Sequence, residues 1–161
     1  MESVAEVYLL SAEFMQDYPV SEYPELMHKL GRPYACLLIQ THNDYFICVP
    51  FRSSISHKNA FLFKNTKRSM KSKSGLDYSK IVLIKDNKYF SSLQATVDQD
   101  EYNELRNHLP KIVNQVHAYV DTYMNHVTGI DLLHPKEYDR KYRHSTLVYF
   151  HDILGIKDSN S

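Results

Sequence analysis

The feature that most constrains this fold is a change in the spacing of apolar residues near Ala95. Between residues 34 and 93 the chain carries short, dense runs of aromatic and branched apolar side chains, which are typical of strands. From residue 98 to 126 the apolar side chains recur at spacings of three and four, as on one face of a helix. The pattern therefore predicts a strand-rich centre followed by a helical half.

Separate runs define the predicted strands. They are AEVYLL, YACLLIQ, DYFICVPF, AFLFK, KIVLIK and KYFSSL, with hairpin turns at THN and KDN. The longest predicted loop is NTKRSMKSKSGLDYS, residues 65–79.

Helices are predicted on both sides of these strands. SAEFMQDY reads as a short helix capped by Ser11, and SEYPELMHKL as a second one ended by Gly31. Pro110 should kink or divide the long helix, and two shorter helices should follow, with Pro135 near the first start and Ser145 or Thr146 capping the second. We therefore predict one α+β domain over residues 1–161. Its compact, twisted antiparallel sheet has a barrel-like core and is flanked by helices from the N-terminal region and the C-terminal half.

Several classes of function lack their sequence signals. The nine histidines form no zinc-type spacing, and the four glycines form no phosphate-binding loop, so neither a metal nor a cofactor is predicted. Cys36 and Cys48 lie in apolar runs and are predicted to be reduced core residues. The acidic start and the lack of a long apolar run favour a cytoplasmic protein that does not contact a membrane.

Positive charge is concentrated although 19 Lys and Arg balance 19 Asp and Glu. No acidic residue occurs from Tyr45 to Leu76. The seven cations of this stretch are Arg52, Lys58, Lys64, Lys67, Arg68, Lys71 and Lys73. Phosphates attract such a cluster, and aromatic side chains can stack on unpaired bases, so the stretch is a candidate RNA-binding segment. The alternative is a solvated loop beside strand aromatics that face the core, and for the aromatics we favour that interpretation.

The segment VPFRSSISHKNAF contains the groups that RNA cleavage needs. Attack by a 2′-hydroxyl requires a proton acceptor, a proton donor for the leaving 5′-oxygen, and cations or donors for the phosphorane. His57 can exchange protons near neutral pH, and Arg52 can hold a phosphate through two parallel donors. Ser53, and less directly Ser54, can donate hydrogen bonds to the phosphate or orient the sugar.

The order of these features resembles the ToxN and AbiQ-like family of endoribonuclease toxins from bacterial type III toxin-antitoxin systems. The resemblance rests on GRPYACLLI, the hairpin ending in YFICVPFRSS, the basic insert, SGLDYSKIVLI and the closing LHPKEYDRKYR. It covers most of the chain, best from Arg32 to Phe90, and is closest to the CptN branch.

This resemblance implies a metal-independent, sequence-preferring RNase that acts on cellular mRNA and takes part in abortive infection. It also implies inhibition by a small repeated RNA, folded as a pseudoknot, that the toxin processes. Ser53 takes the place of the family's serine, Arg52 replaces a threonine, and Arg32 stands where a lysine is usual. The basic residue that the family has shortly beyond the serine corresponds to His57 or Lys58. We assign phosphate stabilisation to Arg52 and proton transfer to His57, and we expect Ser54, Lys58 and the later cations to contact RNA.

Two other interpretations remain open at the sequence level. The protein could bind single-stranded RNA without cutting it, in which case the serines and His57 only satisfy a loop. A protein-interaction domain that uses the helix at 98–126 has less support, because that helix is better explained as core on one face and solvated on the other.

Overall fold

The computed structural model describes residues 5–27 and 34–157, and these residues form an α+β fold. The predicted fold class is confirmed. Within the described ranges, seven strands make one antiparallel sheet with β4 and β7 at its edges. Its strands are β1 (Glu6–Leu10), β2 (Ala35–Gln40), β3 (Phe46–Arg52), β4 (Ala60–Leu62), β5 (Gly75–Asp77), β6 (Val82–Ile84) and β7 (Phe90–Gln94). Because the sheet is not closed on itself, the prediction of a barrel-like core is wrong.

The hairpin of β2 and β3 is the centre of the sheet and confirms the turn predicted at THN. Its register pairs Leu37 with Val49 and Ile39 with Ile47, and all four side chains are buried. Dense branched and aromatic residues suit strands that are covered by other elements of the chain.

Two short strands share the other edge of β3. β6 pairs with β3 at Phe46–Cys48, and β5 pairs with it at Phe51 and Arg52. Between these two stretches lies Pro50, which has no N–H to donate to a ladder. The chain crosses this gap as a 3₁₀ turn at Tyr78–Lys80.

Strand β5 was missed by the sequence analysis, which assigned its residues to the long loop. Gly75 permits it, because a Cβ at this position would overlap the backbone carbonyl oxygen of Phe61 on β4. The predicted hairpin at KDN is wrong, since β6 pairs with β3 and β7 pairs with β1. Asp86 instead accepts a hydrogen bond from the Lys88 amide at 3.0 Å and caps a 3₁₀ turn.

The helices largely follow the prediction. Ser11 caps α1 (Ala12–Asp17), and Pro110 lies at the start of α3 (Leu109–Val127), where its missing N–H costs no helical hydrogen bond. The long helical segment is therefore divided, with α2 (Gln99–Asn107) preceding α3. The buried stripe of α3 packs into the same core as the sheet.

The last helices also begin where the sequence indicates. α4 (Pro135–Tyr142) has Pro135 in its first turn, and Ser145 caps a 3₁₀ segment that leads into α5 (His151–Leu154). The helix predicted in SEYPELMHKL is wrong over residues 21–27, which form turns, and its remainder with Gly31 lies outside the described residues. Pro24 disfavours a helical conformation at the preceding Tyr23, and the amide of Glu25 donates to the hydroxyl of Tyr149 at 3.2 Å.

Two further predictions concern the cysteines and the membrane. Cys36 and Cys48 are fully buried and free, as predicted. No helix within residues 5–27 and 34–157 combines the length and the apolar character that a bilayer crossing requires.

Candidate functional site

Asp77, the last residue of β5, organises the candidate site. Its carboxylate has no exposed surface, although an unpaired charge would be costly there. It accepts hydrogen bonds from the backbone amide of Ser79 at 2.9 Å and from the Ser79 hydroxyl at 2.6 Å. The carboxylate therefore caps the 3₁₀ turn and is held in one orientation.

The same carboxylate joins Arg52 and His57. Nη1 of Arg52 donates to Oδ2 of Asp77 at 2.8 Å, and Nε2 of His57 lies 3.1 Å from Oδ1 and 3.2 Å from Oδ2. The side chains of Arg52 and His57 are 33% and 28% exposed, so both can be reached from solvent. The structure thus brings two of the predicted catalytic residues onto one buried acidic group.

Both ring nitrogens of His57 have protein partners. The backbone amide of Asn59 donates to Nδ1 at 3.1 Å, which leaves Nε2 to carry the proton of the neutral ring and to donate it to Asp77. The Ser79 hydroxyl lies 3.3 Å from the same Nε2. This arrangement sets the ring orientation and the tautomer together.

Arg52 and His57 line two different clefts. The Arg52 cleft, about 180 Å³, is also lined by Ser53, Arg68 and Glu101. The His57 cleft is about 440 Å³, which is within the range of small-ligand sites. Its other lining residues are Asn59, Ser79, Lys136, Asp139, Arg140, Lys141, Arg143 and His144.

The other candidate residues of the segment VPFRSSISHKNAF differ in their exposure. Ser53 is half-buried in the Arg52 cleft, whereas Ser54 and Lys58 are exposed. Ser54 has a positive φ of 56°, in the left-handed region, and lies in a bend directly after β3. Arg32, which the family resemblance placed in the site, lies outside the described residues.

The basic segment, residues 64–73, folds against the acidic residues of α2. The carboxylate of Glu104 accepts the backbone amides of Lys64 and Asn65, and Asp100 accepts that of Lys67 at 2.9 Å. Arg68 forms ion pairs with Asp98 at 3.3 Å and with Glu101 at 3.8 Å. The positive charge that the sequence concentrates here is therefore partly compensated by residues about 30 positions later.

The contact of α2 with Arg68 includes Glu101, whose side chain is buried. Burial raises the pKa of Glu101, and the neighbouring charge of Arg68 only partly opposes that effect. Lys71 and Lys73, in contrast, are exposed and have no ion pair within the part of the chain that the structure describes. Among the predicted RNA-binding cations of this segment, Arg68 is therefore ion-paired, whereas the side chains of Lys64, Lys67, Lys71 and Lys73 form no ion pair within the described residues.

A second charged contact joins Lys80 to Glu25 and to His144, which lines the His57 cleft. Lys80 is 9% exposed, and its Nζ donates to Glu25 at 2.9 Å and to the backbone oxygen of His144 at 3.1 Å. Burial raises the pKa of Glu25, but the hydrogen bond and charge of Lys80, with a contribution from His144, leave that pKa below its ordinary value.

Asp77 and Ser79 are the residues that sequence reasoning missed. The sequence feature that could have identified them is Asp-Tyr-Ser, which directly precedes KIVLI. An aspartate two residues before a serine can cap a tight turn. Among the described residues, no group of three His, Cys, Asp or Glu side chains is arranged to hold a metal ion.

Comparison with known proteins adds no further constraint. No family model, curated protein or solved structure matches this chain. The resemblance to the ToxN and AbiQ-like toxins therefore stays a prediction, and the function has to be argued from the site.

Proposed function

We propose that this protein is a metal-independent, sequence-preferring endoribonuclease toxin that cleaves cellular mRNA in the cytoplasm. The observation that carries the proposal is the buried carboxylate of Asp77, which holds Arg52 and His57, and each of these two side chains lines a cleft. A proton-exchanging ring and a permanent cation are the two groups that 2′-hydroxyl attack needs most. The inhibitory antitoxin RNA, expected as a pseudoknot that the toxin processes, belongs to the same proposal through the family resemblance.

The proposed cleavage needs no reactant other than the RNA itself. A base removes the 2′-hydroxyl proton, the 2′-oxygen attacks phosphorus, and the bond from phosphorus to the 5′-oxygen breaks as that oxygen receives a proton. The products are a 2′,3′-cyclic phosphate and a 5′-hydroxyl. His57 carries a proton in this scheme, Arg52 stabilises the phosphorane charge, and Ser53 donates to a phosphate oxygen.

Asp77 positions the ring in this scheme but does not touch RNA. Because the Asn59 amide occupies Nδ1, proton transfer at that atom requires this hydrogen bond to open when RNA binds. A 2′-oxygen that replaced the amide would meet a ring nitrogen with a free lone pair, while Nε2 stayed on Asp77.

The same contacts favour a second candidate function, a non-catalytic module that binds single-stranded RNA. In that case Arg52, His57 and Ser79 serve only to satisfy the buried carboxylate of Asp77. Arg52 and the cations that line the His57 cleft would still attract phosphates.

Cleavage of labelled single-stranded RNA in EDTA separates the two candidates. The test compares wild type, His57→Ala and the control His117→Ala, a half-buried α3 histidine outside both clefts, after bound nucleic acid has been removed. Cyclic-phosphate ends from wild type and His117→Ala, but not from His57→Ala, would support the proposal. Equal cleavage by all three proteins would contradict the role of His57, and bound but intact RNA would favour the binding module.

A further inference from the structure

Helix α4 brings cations to the His57 cleft that lie far along the chain from the basic segment. Lys136, Arg140, Lys141 and Arg143 all line this cleft. Lys136 and Arg140 are four residues apart, so their side chains lie on the same face of the helix. Asp139 pairs with Arg143 at 3.8 Å, but within the described ranges no carboxylate forms an ion pair with Lys136, Arg140 or Lys141.

The end of α4 is anchored to the residues around His57. The side-chain amide of Asn59 and the hydroxyl of Tyr119 each donate to the backbone oxygen of Lys141 at 3.2 Å. These donors satisfy a carbonyl that the helix end would otherwise leave without a partner. Because Asn59 also bonds His57 through its backbone amide, one residue holds both the ring and the helix.

The charge on α4 differs from that on the basic segment. The backbone amides of Lys64 and Lys67 donate to carboxylates of α2, and Arg68 forms an ion pair with Glu101 of the same helix. An anion approaching that segment also meets the carboxylates of α2. In the His57 cleft the lining carboxylate Asp139 is paired with Arg143, and Lys136 and Arg140 have no ion pair among the described residues. Cations without an ion pair that also lie in the cleft of His57 therefore favour the α4 side for a polyanion.

We propose that the α4 side of the His57 cleft binds the phosphate backbone of single-stranded RNA. Lys136 and Arg140 contact phosphates next to the bond that approaches His57. A guanidinium can bind a phosphate through two donors and an ammonium adds a point charge, so the pair suits successive phosphates of one strand. The identity of the ligand rests on the proposed RNase function, but the site itself is argued from charge and geometry.

Binding to 2′-O-methyl RNA tests the site without cleavage, because this RNA has no free 2′-hydroxyl to attack. The probe is a labelled pool of randomised sequence, about 20 nucleotides long, and Kd is measured by fluorescence anisotropy at several salt concentrations. Lys136→Gln/Arg140→Gln is compared with Lys71→Gln/Lys73→Gln on the basic segment. The control is Lys85→Gln/Lys88→Gln, which removes the same charge outside the cleft.

The α4 variant is expected to raise Kd about tenfold and to make the slope of log K against log salt shallower by about 1.4, as for two lost phosphate contacts on a single strand. The control should change Kd less than about twofold. An α4 variant that behaves like the control would overturn the proposal. So would a loss confined to the Lys71 and Lys73 variant, or wild type that does not bind the pool.

Unmodified RNA distinguishes this inference from the proposed function. Binding that depends on α4, with no cleavage by wild type, would retain the RNA site and contradict the RNase proposal. Cleavage by the α4 variant with the KM and rate of wild type would retain the RNase and contradict the RNA site. Circular dichroism of each variant checks that these exposed substitutions leave the fold intact.

Discussion

The carboxylate of Asp77 lies 3.1 Å from Nε2 of His57, and the same buried group accepts a hydrogen bond from Arg52 at 2.8 Å. One acidic side chain without exposed surface therefore holds two side chains that face different clefts. A change at Asp77 should alter both of them together, which makes this residue the most informative one to substitute.

Asp77→Asn is expected to lower the free energy of unfolding by about 1–3 kcal/mol, because it keeps the shape but removes the charge that Arg52 and His57 share. It should also reduce any RNA cleavage, since the ring loses its charged partner at Nε2. Urea unfolding and the EDTA cleavage assay measure the two effects. The control is Asp98→Asn at the exposed pair with Arg68, for which about 0–1 kcal/mol is expected. Equal losses of unfolding free energy in the two variants would contradict a larger contribution from the buried carboxylate than from the exposed one.

Neighbouring alanine substitutions at Ser74 and Gly75 should differ in their effect on stability. Gly75→Ala places a methyl group against the Phe61 carbonyl and should cost about 1–3 kcal/mol, because β4 and β5 must separate. The hydroxyl of Ser74 is buried without a hydrogen-bond partner among the described residues, so Ser74→Ala should leave stability unchanged or raise it by about 1 kcal/mol. Urea unfolding of both variants is the measurement, and a destabilised Ser74→Ala would indicate a hydrogen bond that this geometry lacks.

Glu25→Gln should remove part of the dependence of stability on pH. The pKa of Glu25 is below its ordinary value of 4.5 in the folded protein, so its contribution is complete above that value and is lost as pH falls through the folded pKa. The variant should be less stable than wild type at pH 7, where Lys80 loses its charged partner, and this difference should shrink in acid. Urea unfolding across that range tests the sign. A difference that grew as the pH fell would contradict the ion pair of Glu25 with Lys80.

Cys36 and Cys48 should resist modification in the native protein. Burial raises the pKa of both thiols, and neither has exposed surface, so few reactive thiolates are available at neutral pH. A thiol-specific reagent should label both residues only at the rate of unfolding, and rapidly in urea. Fast labelling of the native protein would show that the β2–β3 hairpin opens locally.

The sequence identified candidate functional residues more readily than the residues that hold them in place. Arg52, His57 and the segment that contains them were identified from residue types, because the side chains that move protons or hold phosphates are few. Asp77 was assigned to a loop, since a three-residue strand carries no periodic pattern of its own. It became visible only when β5 paired with β3 and brought Asp77 to Arg52, 25 residues earlier.

The amino-acid sequence by itself determined the α+β class, the β2–β3 hairpin and the division of the long helix at Pro110, because these follow from local periodicity and from the missing N–H of proline. Tertiary structure alone decided the open sheet, the pairing of β6 with β3, and the balance of charge. The basic segment is uncompensated when read along the chain, yet it lies against carboxylates of α2, while the cations of α4 are brought beside His57. Coulombic interactions depend on distance in space rather than on separation along the chain, so their outcome is known only after the strands have paired and the helices have packed.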